Sequence, residues 1–444
     1  MNRPRVLVVA EAANPEWVSV PLVGWAHANA LRAVADVHLA TQIRNADAIR
    51  RAGLPDAGFT AIDSERFAAP LWKLATLVRG GAGKGWTMVT ALSAFAYYEF
   101  ERLLWQAFGP RIRAHEFDVV HRITPLTPTV PSPIARRCAA AGVPFVLGPL
   151  NGGLPWPKGF DHVRREEREW LSYVRGLHAL MPGQGATRRH ATAMIIGSMA
   201  TWAQVATAHP AKCVYVPENG VDPERFAPSD RPRTRGPLEV VFVGRLVPYK
   251  GADVVIEAAA PLLRDGRAAL TIVGEGPQAS RLRAVAAERG VGELVRFEGW
   301  LDHDRLRRRL AASDVFAFPS IREFGGGAVI EAMAAGVVPI VVDYGGPGEI
   351  VTADTGFALP LGPRDALVAG LRARLVDLAR DPARVAEMGR AARARVLRWF
   401  TWSAKAAQTR EIYGWMLGER DRPDFGMPFP SEVAPGTRIR VGAR

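Results

Sequence analysis

Residues 315–333 read Val-Phe-Ala-Phe-Pro-Ser-Ile-Arg-Glu-Phe-Gly-Gly-Gly-Ala-Val-Ile-Glu-Ala-Met, and this stretch decides the fold of the second half of the chain. The apolar run Val315–Phe318 is typical of a buried strand, and the residues after the glycines have helical character. The glycine run Gly325–Gly327 lets backbone amides approach an anion at the start of the helix. The stretch therefore predicts a strand, an anion-binding loop and a helix.

Two carboxylates belong to the same stretch. Glu323 precedes the glycines, and Glu331 lies about one turn into the helix, so both side chains can face one ligand. A carboxylate accepts hydrogen bonds from two hydroxyls at once, which suits the diol of a ribose or a hexose. A pair of metal ligands is the alternative. Because no histidine accompanies the two glutamates, we predict no metal site.

Two further loops of this kind lie at other strand ends. The strand Val240–Val243 ends at Gly244, and Arg245 and Lys250 flank the turn that follows. Ligands of open α/β sheets bind at the carboxyl ends of strands, so two cations there can neutralise a diphosphate. One such charge pair about 4 Å apart has a gross energy of ~4 kcal/mol at an effective dielectric of 20. A solvated surface loop is the alternative for this segment alone, but residues 343–349 form a third glycine turn after the next strand.

Apolar runs and longer amphipathic segments alternate from end to end, which indicates βαβ units and parallel sheets. Eleven runs are predicted to be strands: Val6–Ala10, Val37–Ala40, Asp118–His121, Pro144–Leu147, Ala193–Ile196, Cys213–Val216, Val240–Val243, Leu270–Val273, Val295–Glu298, Val315–Phe318 and Val338–Val342. The fold class predicted is α/β, with two Rossmann-like domains that face each other across a cleft.

The domain boundaries follow from composition. We predict an N-terminal domain over 1–222, a proline- and charge-rich linker over 223–238 and a C-terminal domain over 239–400. Residues 401–420 are predicted to form a helix that crosses back to the N-terminal domain, and residues 421–444 a tail.

The composition of the 444 residues excludes several classes of protein. Charged residues make up 23% and hydrophobic residues 48%, which is ordinary for a globular protein and argues against disordered and collagen-like chains. Two cysteines cannot form a disulfide framework and fit a reducing cytosol. The net charge of +13 is spread over both halves, so we expect no nucleic-acid partner.

Two apolar stretches raise the question of a membrane. The uncharged run between Arg189 and Lys212 is interpreted as a buried strand and a helix capped by Ser198, with a membrane span as the alternative. The run from Gly85 to Tyr98 is a core helix or an interfacial helix that contacts lipid. With no signal peptide at the start, we expect a cytoplasmic protein, either free or weakly attached to the inner face of the membrane.

From Val240 to about Trp402 the chain resembles the family-4 glycosyltransferases, which are retaining enzymes with the GT-B fold and nucleotide-sugar donors. The resemblance rests on the loops described above together with Val273-Gly274-Glu275-Gly276-Pro277, Phe297-Glu298-Gly299-Trp300 and Asp314–Ser320. It implies that the enzyme uses no cofactor and that the nucleoside diphosphate sugar is its donor substrate. It also implies that the acceptor is a glycan, a lipid-linked sugar or a small molecule.

The resemblance also implies roles for single residues. Arg245 and Lys250, in the loop that starts at Gly244, would bind the donor diphosphate together with the amides of Gly325, Gly326 and Gly327. Glu331 would hold the ribose hydroxyls, and Glu323 would contact the donor sugar and stabilise the transition state. The loop at Trp300 and Leu301 would run alongside the nucleobase. Family members usually carry a larger residue where this chain has Gly326 or Gly327.

The N-terminal half matches the family less closely. His121 resembles the histidine at a strand end that reaches the donor sugar. A lone histidine at such a place is more often structural, but the resemblance of the rest of the chain favours a catalytic role for His121. The first strand–helix loop, residues 14–21, departs from the paired glycines of the family. Asn151, Gly152 and Trp156 are candidate acceptor contacts; Trp156 is either a platform for a sugar ring or a side chain packed inward.

These observations predict a metal-independent hexosyltransferase that uses a nucleoside diphosphate sugar. A nucleotide-sugar epimerase and a non-catalytic nucleotide-sugar-binding protein of the same fold are the alternatives. An epimerase would release an epimer or free sugar without any acceptor. A binding protein would lack the charged residues of the phosphate site, and this chain has them.

Overall fold

The computed structural model describes residues 3–66, 86–157, 159–161, 164, 181–228 and 236–427. Packing divides the chain into two units. The first unit comprises Met1–Pro155, Phe160–Glu218 and Trp402–Phe425. The second comprises Trp156–Gly159, Asn219–Thr401 and Gly426–Arg444.

The described residues of the first unit form seven strands: β1 (Arg5–Ala10), β2 (Asp36–Gln42), β3 (Phe59–Ile62), β4 (Val119–Thr124), β5 (Phe145–Leu150), β6 (Ala193–Ile196) and β7 (Cys213–Tyr215). They form one parallel sheet in the order β3-β2-β1-β4-β5-β6-β7. The six strands predicted for this half are all present. The sequence did not reveal β3, because its four residues alternate poorly and the middle two are only partly buried.

Both faces of this sheet are buried, as in other parallel sheets. Val6 and Val8 of β1 contribute to the core on one face, while Leu7 and Val9 contribute to the core on the other. The helices that cover the sheet include α1 (Val20–Leu31), α2 (Ala46–Arg51), α3 (Trp86–Arg113), α4 (Ile134–Ala140), α5 (Gln184–His190) and α6 (Met199–Val205).

The two apolar stretches are elements of this unit. The run from Arg189 to Lys212 forms β6 and α6, and the Ser198 side chain accepts a hydrogen bond from the amide of Thr201, so the predicted cap is confirmed. The second run forms the beginning of α3. The structure describes the side chains of this helix from residue 96 onward, and Tyr97 is buried in the core. Among the described residues, no helix is both long and apolar enough to cross a membrane.

In the part of the second unit that the structure describes there are six strands: β8 (Leu238–Val243), β9 (Ala268–Val273), β10 (Val295–Gly299), β11 (Val315–Phe318), β12 (Val338–Val342) and β13 (Phe357–Leu359). They form a parallel sheet in the order β10-β9-β8-β11-β12-β13. The first five were predicted. The edge strand β13 was missed because it has only three residues, and two of them are partly exposed.

Seven helices of the second unit lie between and after these strands: α7 (Ala252–Arg264), α8 (Ala279–Glu288), α9 (His303–Ala311), α10 (Gly327–Ala334), α11 (Gly346–Ile350), α12 (Arg364–Arg380) and α13 (Pro382–Trp399). The strand order reverses at β8, which lies between β9 and β11. The loops after β8 and β11 therefore lie side by side at the carboxyl edge, where open α/β sheets bind their ligands.

The ends of the two units differ in detail from the predicted boundaries. Packing places the division at Glu218, ahead of the predicted linker, and Val221 pairs with Thr401 within the second unit. Residues 229–235 of the predicted linker and residues 428–444 of the predicted tail lie outside the described residues.

The C-terminal helix α14 (Trp402–Met416) belongs to the first unit. It packs along α1 and buries Ala406, Ile412 and Tyr413 in one of the two cores of that unit. Within the segment 401–420, which was predicted to be helical, the helix spans Trp402–Met416, and it is part of the unit built by the N-terminal half of the chain.

Candidate functional site

The loop after β8 starts at Gly244 and is pinned against the loop after β9. The amide of Gly244 donates to the carbonyl of Val273 over 3.0 Å, and the amide of Leu246 donates to the carbonyl of Glu275 over 2.9 Å. A Cβ on Gly274 would lie 2.0 Å from the carbonyl oxygen of Gly244. The glycine at 274 is therefore required by the close approach of two backbones. Arg245 lies in this loop with an exposed side chain.

The same loop continues to Lys250, and it is tied to the loop after β11. The carbonyl oxygen of Tyr249 accepts hydrogen bonds from the amide of Ile321 at 2.9 Å and from the Ser320 hydroxyl at 3.2 Å. Gly251 has a φ of 74°, and a Cβ there would lie 2.8 Å from the carbonyl oxygen of Pro319. A glycine after Lys250 is what allows the two loops to approach.

The structure brings two of the predicted residues, Lys250 and Glu323, into direct contact. The Lys250 ammonium forms an ion pair and hydrogen bond with the Glu323 carboxylate. Both side chains are largely buried, at 15% and 21% exposure. The ammonium also lies 4.9 Å from the centre of the Phe318 ring, a cation–π arrangement. An anionic ligand at this cation would therefore compete with a carboxylate of the protein.

The glycine run starts helix α10, with Gly326 as the N-cap residue in the left-handed region at a φ of 61°. The first amides of a helix have no intrahelical acceptor and attract negative charge. A Cβ on Gly326 would lie 2.9 Å from a methyl of Ile350 and 3.4 Å from the nitrogen of Pro347. At Gly327 the nearest atom would be in the Asn219 side chain, 3.7 Å away. Of these two positions, 327 is therefore the one that can accept a larger residue.

Glu331 lies in the second turn of α10 and is partly buried. Burial raises the pKa of its carboxyl to about 7, and the positive charge of Arg225 opposes this shift. Both the protonated and the ionised forms are therefore accessible near neutral pH. No sequence motif predicts a role for Arg225, because only the fold brings it close to this carboxyl.

The loop at Trp300 lies at the same edge of the sheet. Trp300 follows the last residue of β10, and its side chain is 67% exposed. The amide of Gly274 donates to the carbonyl of Gly299 over 2.7 Å, which joins this loop to the Gly274 turn. Leu301 is partly buried. An exposed indole at this edge is available to pack on a planar group.

Trp156 packs inward, so the structure decides between its two interpretations. The residue clusters with the second unit and is 9% exposed. The Arg322 guanidinium lies 4.7 Å from the centre of its ring, and the Tyr249 ring meets it edge-on at 6.1 Å. Arg322 also lies 5.2 Å from the Phe324 ring. Arg322 directly precedes Glu323 in the sequence, but no motif there predicts its contact with two aromatic rings.

Asn151 and Gly152 have their polar groups engaged within the first unit. The Asn151 amide nitrogen donates to the Glu218 carboxylate at 2.6 Å, and its oxygen accepts from the Ser198 hydroxyl at 2.9 Å. The amide of Gly152 donates to the Thr201 hydroxyl at 3.1 Å. The predicted contact of these residues with an acceptor stays a prediction.

His121 lies inside β4, three residues before the end of the strand, whereas we expected the strand to end at His121. The apolar pattern stops there, but β4 continues through buried polar residues to Thr124. The ring is fully buried: Nε2 donates to the carbonyl of Gly148 at 2.6 Å, and Nδ1 accepts from the Tyr413 hydroxyl at 2.7 Å. Burial lowers the pKa of the ring to about 4, so it is neutral. Contact with a sugar stays a prediction.

The loop at residues 14–21, which lacks the paired glycines of the family, forms its turn with other residues. Ser19 has a φ of 65°, in the left-handed region, and the amide of Asn14 donates to the carbonyl of Pro21 over 2.9 Å. The loop exposes the side chains of Trp17 and Val18. The first glycine, Gly24, lies in α1, where a Cβ would come 2.1 Å from the carbonyl oxygen of Ala12.

Solved structures with the same fold are glycosyltransferases and related synthases. A sucrose-phosphate synthase of Thermosynechococcus elongatus aligns over 94% of this chain and 100% of its own with a TM-score of 0.59 at 18% identity. HepE of Anabaena, solved in complex with UDP and glucose, aligns over 92% of this chain and 99% of its own with a TM-score of 0.58 at 17% identity. Together with the two parallel sheets, these likenesses show the GT-B class of fold.

Residues 226–395 match the family model described as glycosyl transferases group 1. Glycogen synthase of Mycobacterium tuberculosis is 37% identical over 227 residues, which are 50% of this chain and 53% of the relative. The GDP-mannose-dependent monoacylated alpha-(1-6)-phosphatidylinositol monomannoside mannosyltransferase of Corynebacterium glutamicum is 36% identical over 213 residues, which are 44% of this chain and 54% of the relative. The chain spans about half the length of these curated relatives.

Proposed function

We propose that this protein is a retaining glycosyltransferase that moves a hexose from a nucleoside diphosphate sugar to an acceptor hydroxyl. The observation that carries the proposal is the clustering of two cations, a glycine-capped helix start and two glutamates at the carboxyl edge of the second sheet. This cluster lies within residues 226–395, which match the family model of glycosyl transferases group 1. The likeness to HepE, which was solved with UDP and glucose, supports a donor of this class.

The proposed chemistry is electrostatic. Negative charge develops on the leaving diphosphate, and Arg245, Lys250 and the amides at the start of α10 stabilise it. Because these groups supply positive charge where a divalent ion would otherwise act, the proposed reaction is metal-independent. We propose no covalent nucleophile.

The glutamates hold the hydroxyls of the donor. Glu331 accepts hydrogen bonds from the ribose, and Glu323 contacts the transferring sugar. The exposed ring of Trp300 is proposed to pack beside the nucleobase. His121 is proposed to act mainly by fixing the carbonyl of Gly148 in the neighbouring strand β5, because both ring nitrogens already have partners in the protein.

The test is a panel of UDP, GDP, ADP and dTDP sugars, each incubated with the purified full-length chain. We expect one donor class to raise the melting temperature and to release its nucleoside diphosphate, with EDTA leaving the rate unchanged. NMR of the transferred sugar reports the anomeric configuration. If no nucleotide sugar binds, the proposal is wrong; if the product is an epimer or free sugar formed at the same rate without any acceptor, an epimerase or hydrolase replaces it.

A further inference from the structure

From the contact between Lys250 and Glu323 we infer that Glu323 exchanges partners during the reaction, pairing with Lys250 before the donor binds and after the sugar has left. The exchange rests on the proposed function. It gives Glu323 a positioning role that differs from contact with the sugar: its carboxylate competes with the diphosphate for one ammonium. The consequence is that Glu323 disfavours retention of the nucleoside diphosphate product.

The backbone around the pair is held in place, so the exchange needs only a rotation of side chains. The carbonyl of Tyr249, the residue before Lys250, accepts two hydrogen bonds from the loop that carries Glu323. The carbonyl of Glu323 itself accepts a hydrogen bond from the amide of Gly346 at 3.2 Å. A Cβ on Gly346 would lie 2.3 Å from the carbonyl oxygen of Phe324, so these backbones are in close contact.

Two anions cannot share this ammonium without cost. The Lys250 and Glu323 side chains are 15% and 21% exposed, so their charges are weakly screened by solvent. A diphosphate that takes Lys250 leaves a like charge beside the Glu323 carboxylate, and like charges repel. The carboxylate must then rotate away from the ammonium and find other donors.

A nucleoside diphosphate sugar and a nucleoside diphosphate differ in this respect. The sugar hydroxyls of the complete donor give the displaced carboxylate new hydrogen bonds. The product lacks the sugar, so Glu323 regains its hydrogen bonds only by returning to Lys250. Glu323 therefore weakens the binding of the nucleoside diphosphate product more than the binding of the donor.

The experiment compares Glu323→Gln with the unchanged chain by calorimetric titration of UDP and GDP. We expect the variant to bind the nucleoside diphosphate roughly three- to tenfold more tightly, the range of one partly screened charge pair. Its turnover should fall at the same time, and product inhibition should strengthen relative to the Michaelis constant of the donor. A glutamate that only contacted the sugar would leave the affinity for a sugar-free diphosphate unchanged.

Three control variants isolate the pair. Glu293→Gln changes the same charge on an exposed residue at the opposite, amino-terminal edge of the sheet, and should leave the affinity unchanged. In a Lys250→Ala background, Glu323→Gln should no longer tighten binding, since the competition has been removed. Glu323→Ala repeats the charge loss if the glutamine variant proves unstable.

The outcomes are distinguishable. Equal or weaker binding of UDP and GDP by both Glu323 variants, with the unchanged chain binding normally, overturns the exchange and leaves the proposed function standing. Tighter binding that persists without Lys250 also overturns it. If the unchanged chain binds neither UDP nor GDP nor any other nucleoside diphosphate, the proposed function is wrong, and the exchange with it.

Discussion

Replacing Gly274 by alanine should destabilise the second unit strongly, because the added methyl has no room. Its Cβ would lie 2.0 Å from the carbonyl oxygen of Gly244, whereas ordinary contacts start at 3.4 Å. Gly274 also has a φ of 131°, which costs an alanine about 2 kcal/mol. Relief of the overlap by backbone shifts adds about 2 kcal/mol. The free energy of unfolding should therefore fall by about 4 kcal/mol.

Gly266→Ala is the matched control. Gly266 also has a positive φ, 65°, but a Cβ there would meet nothing within 4 Å, so only the backbone term of about 1 kcal/mol remains. Differential scanning calorimetry of the full chain measures both variants. The melting temperature of a domain of this size falls by about 2–4 °C per kcal/mol. We therefore expect it to fall by roughly 8–16 °C in Gly274→Ala and by roughly 2–4 °C in Gly266→Ala. If the two variants melt within about 2 °C of each other, the close approach of the two loops is refuted.

Three further predictions concern the candidate site. Lys250→Ala should reduce turnover at least ~100-fold in a nucleoside-diphosphate release assay, the size of one lost oxyanion-type donor. The control Arg380→Ala, at an exposed position, should leave turnover unchanged. Near-normal turnover of Lys250→Ala would contradict the role of Lys250 as a ligand of the diphosphate. Because burial raises the pKa of Glu331 to about 7, its protonated form stabilises the fold fully below pH 4.5, and this contribution is lost as the pH rises through 7. Urea titrations from pH 5 to 8 should show Glu331→Gln gaining stability over the unchanged chain toward pH 8, by at most about 3 kcal/mol, and parallel curves would contradict the shift. Gly326→Ala should lower the melting temperature because its backbone is left-handed, while Gly327→Ala should keep or raise it; the reverse order would contradict the helix start.

The sequence predicted the sheets well because parallel strands buried on both faces are nearly continuous apolar runs. Ala193–Ile196, Val315–Phe318 and Val338–Val342 were predicted with the bounds that the structure has. The strands that were missed, Phe59–Ile62 and Phe357–Leu359, lie at sheet edges, where partial exposure removes the apolar signal. These edge strands could not be predicted from hydrophobicity alone.

The site could be predicted only as a set of loops. Their order and their position after β8, β10 and β11 followed from strand ends, which local sequence determines. The contact between Lys250 and Glu323 did not, because it depends on how closely two loops approach through Gly251. The inward packing of Trp156 and the hydrogen bonds of His121 likewise depend on partners distant in the sequence, Arg322 and Tyr413.

The helix α14 has a consequence for the order in which the protein can fold during synthesis. Its Tyr413 is fully buried in the first unit and hydrogen-bonded to His121, so a core begun by the first strands is closed by residues that follow the sheet of the second unit along the chain. The ribosome must therefore synthesise residues 219–401 of the second unit before the first unit can be completed. A fragment that ends at residue 222 would expose the groove that α14 fills. Expression of the first unit alone therefore requires residues 402–425 to be joined to it, for example by circular permutation.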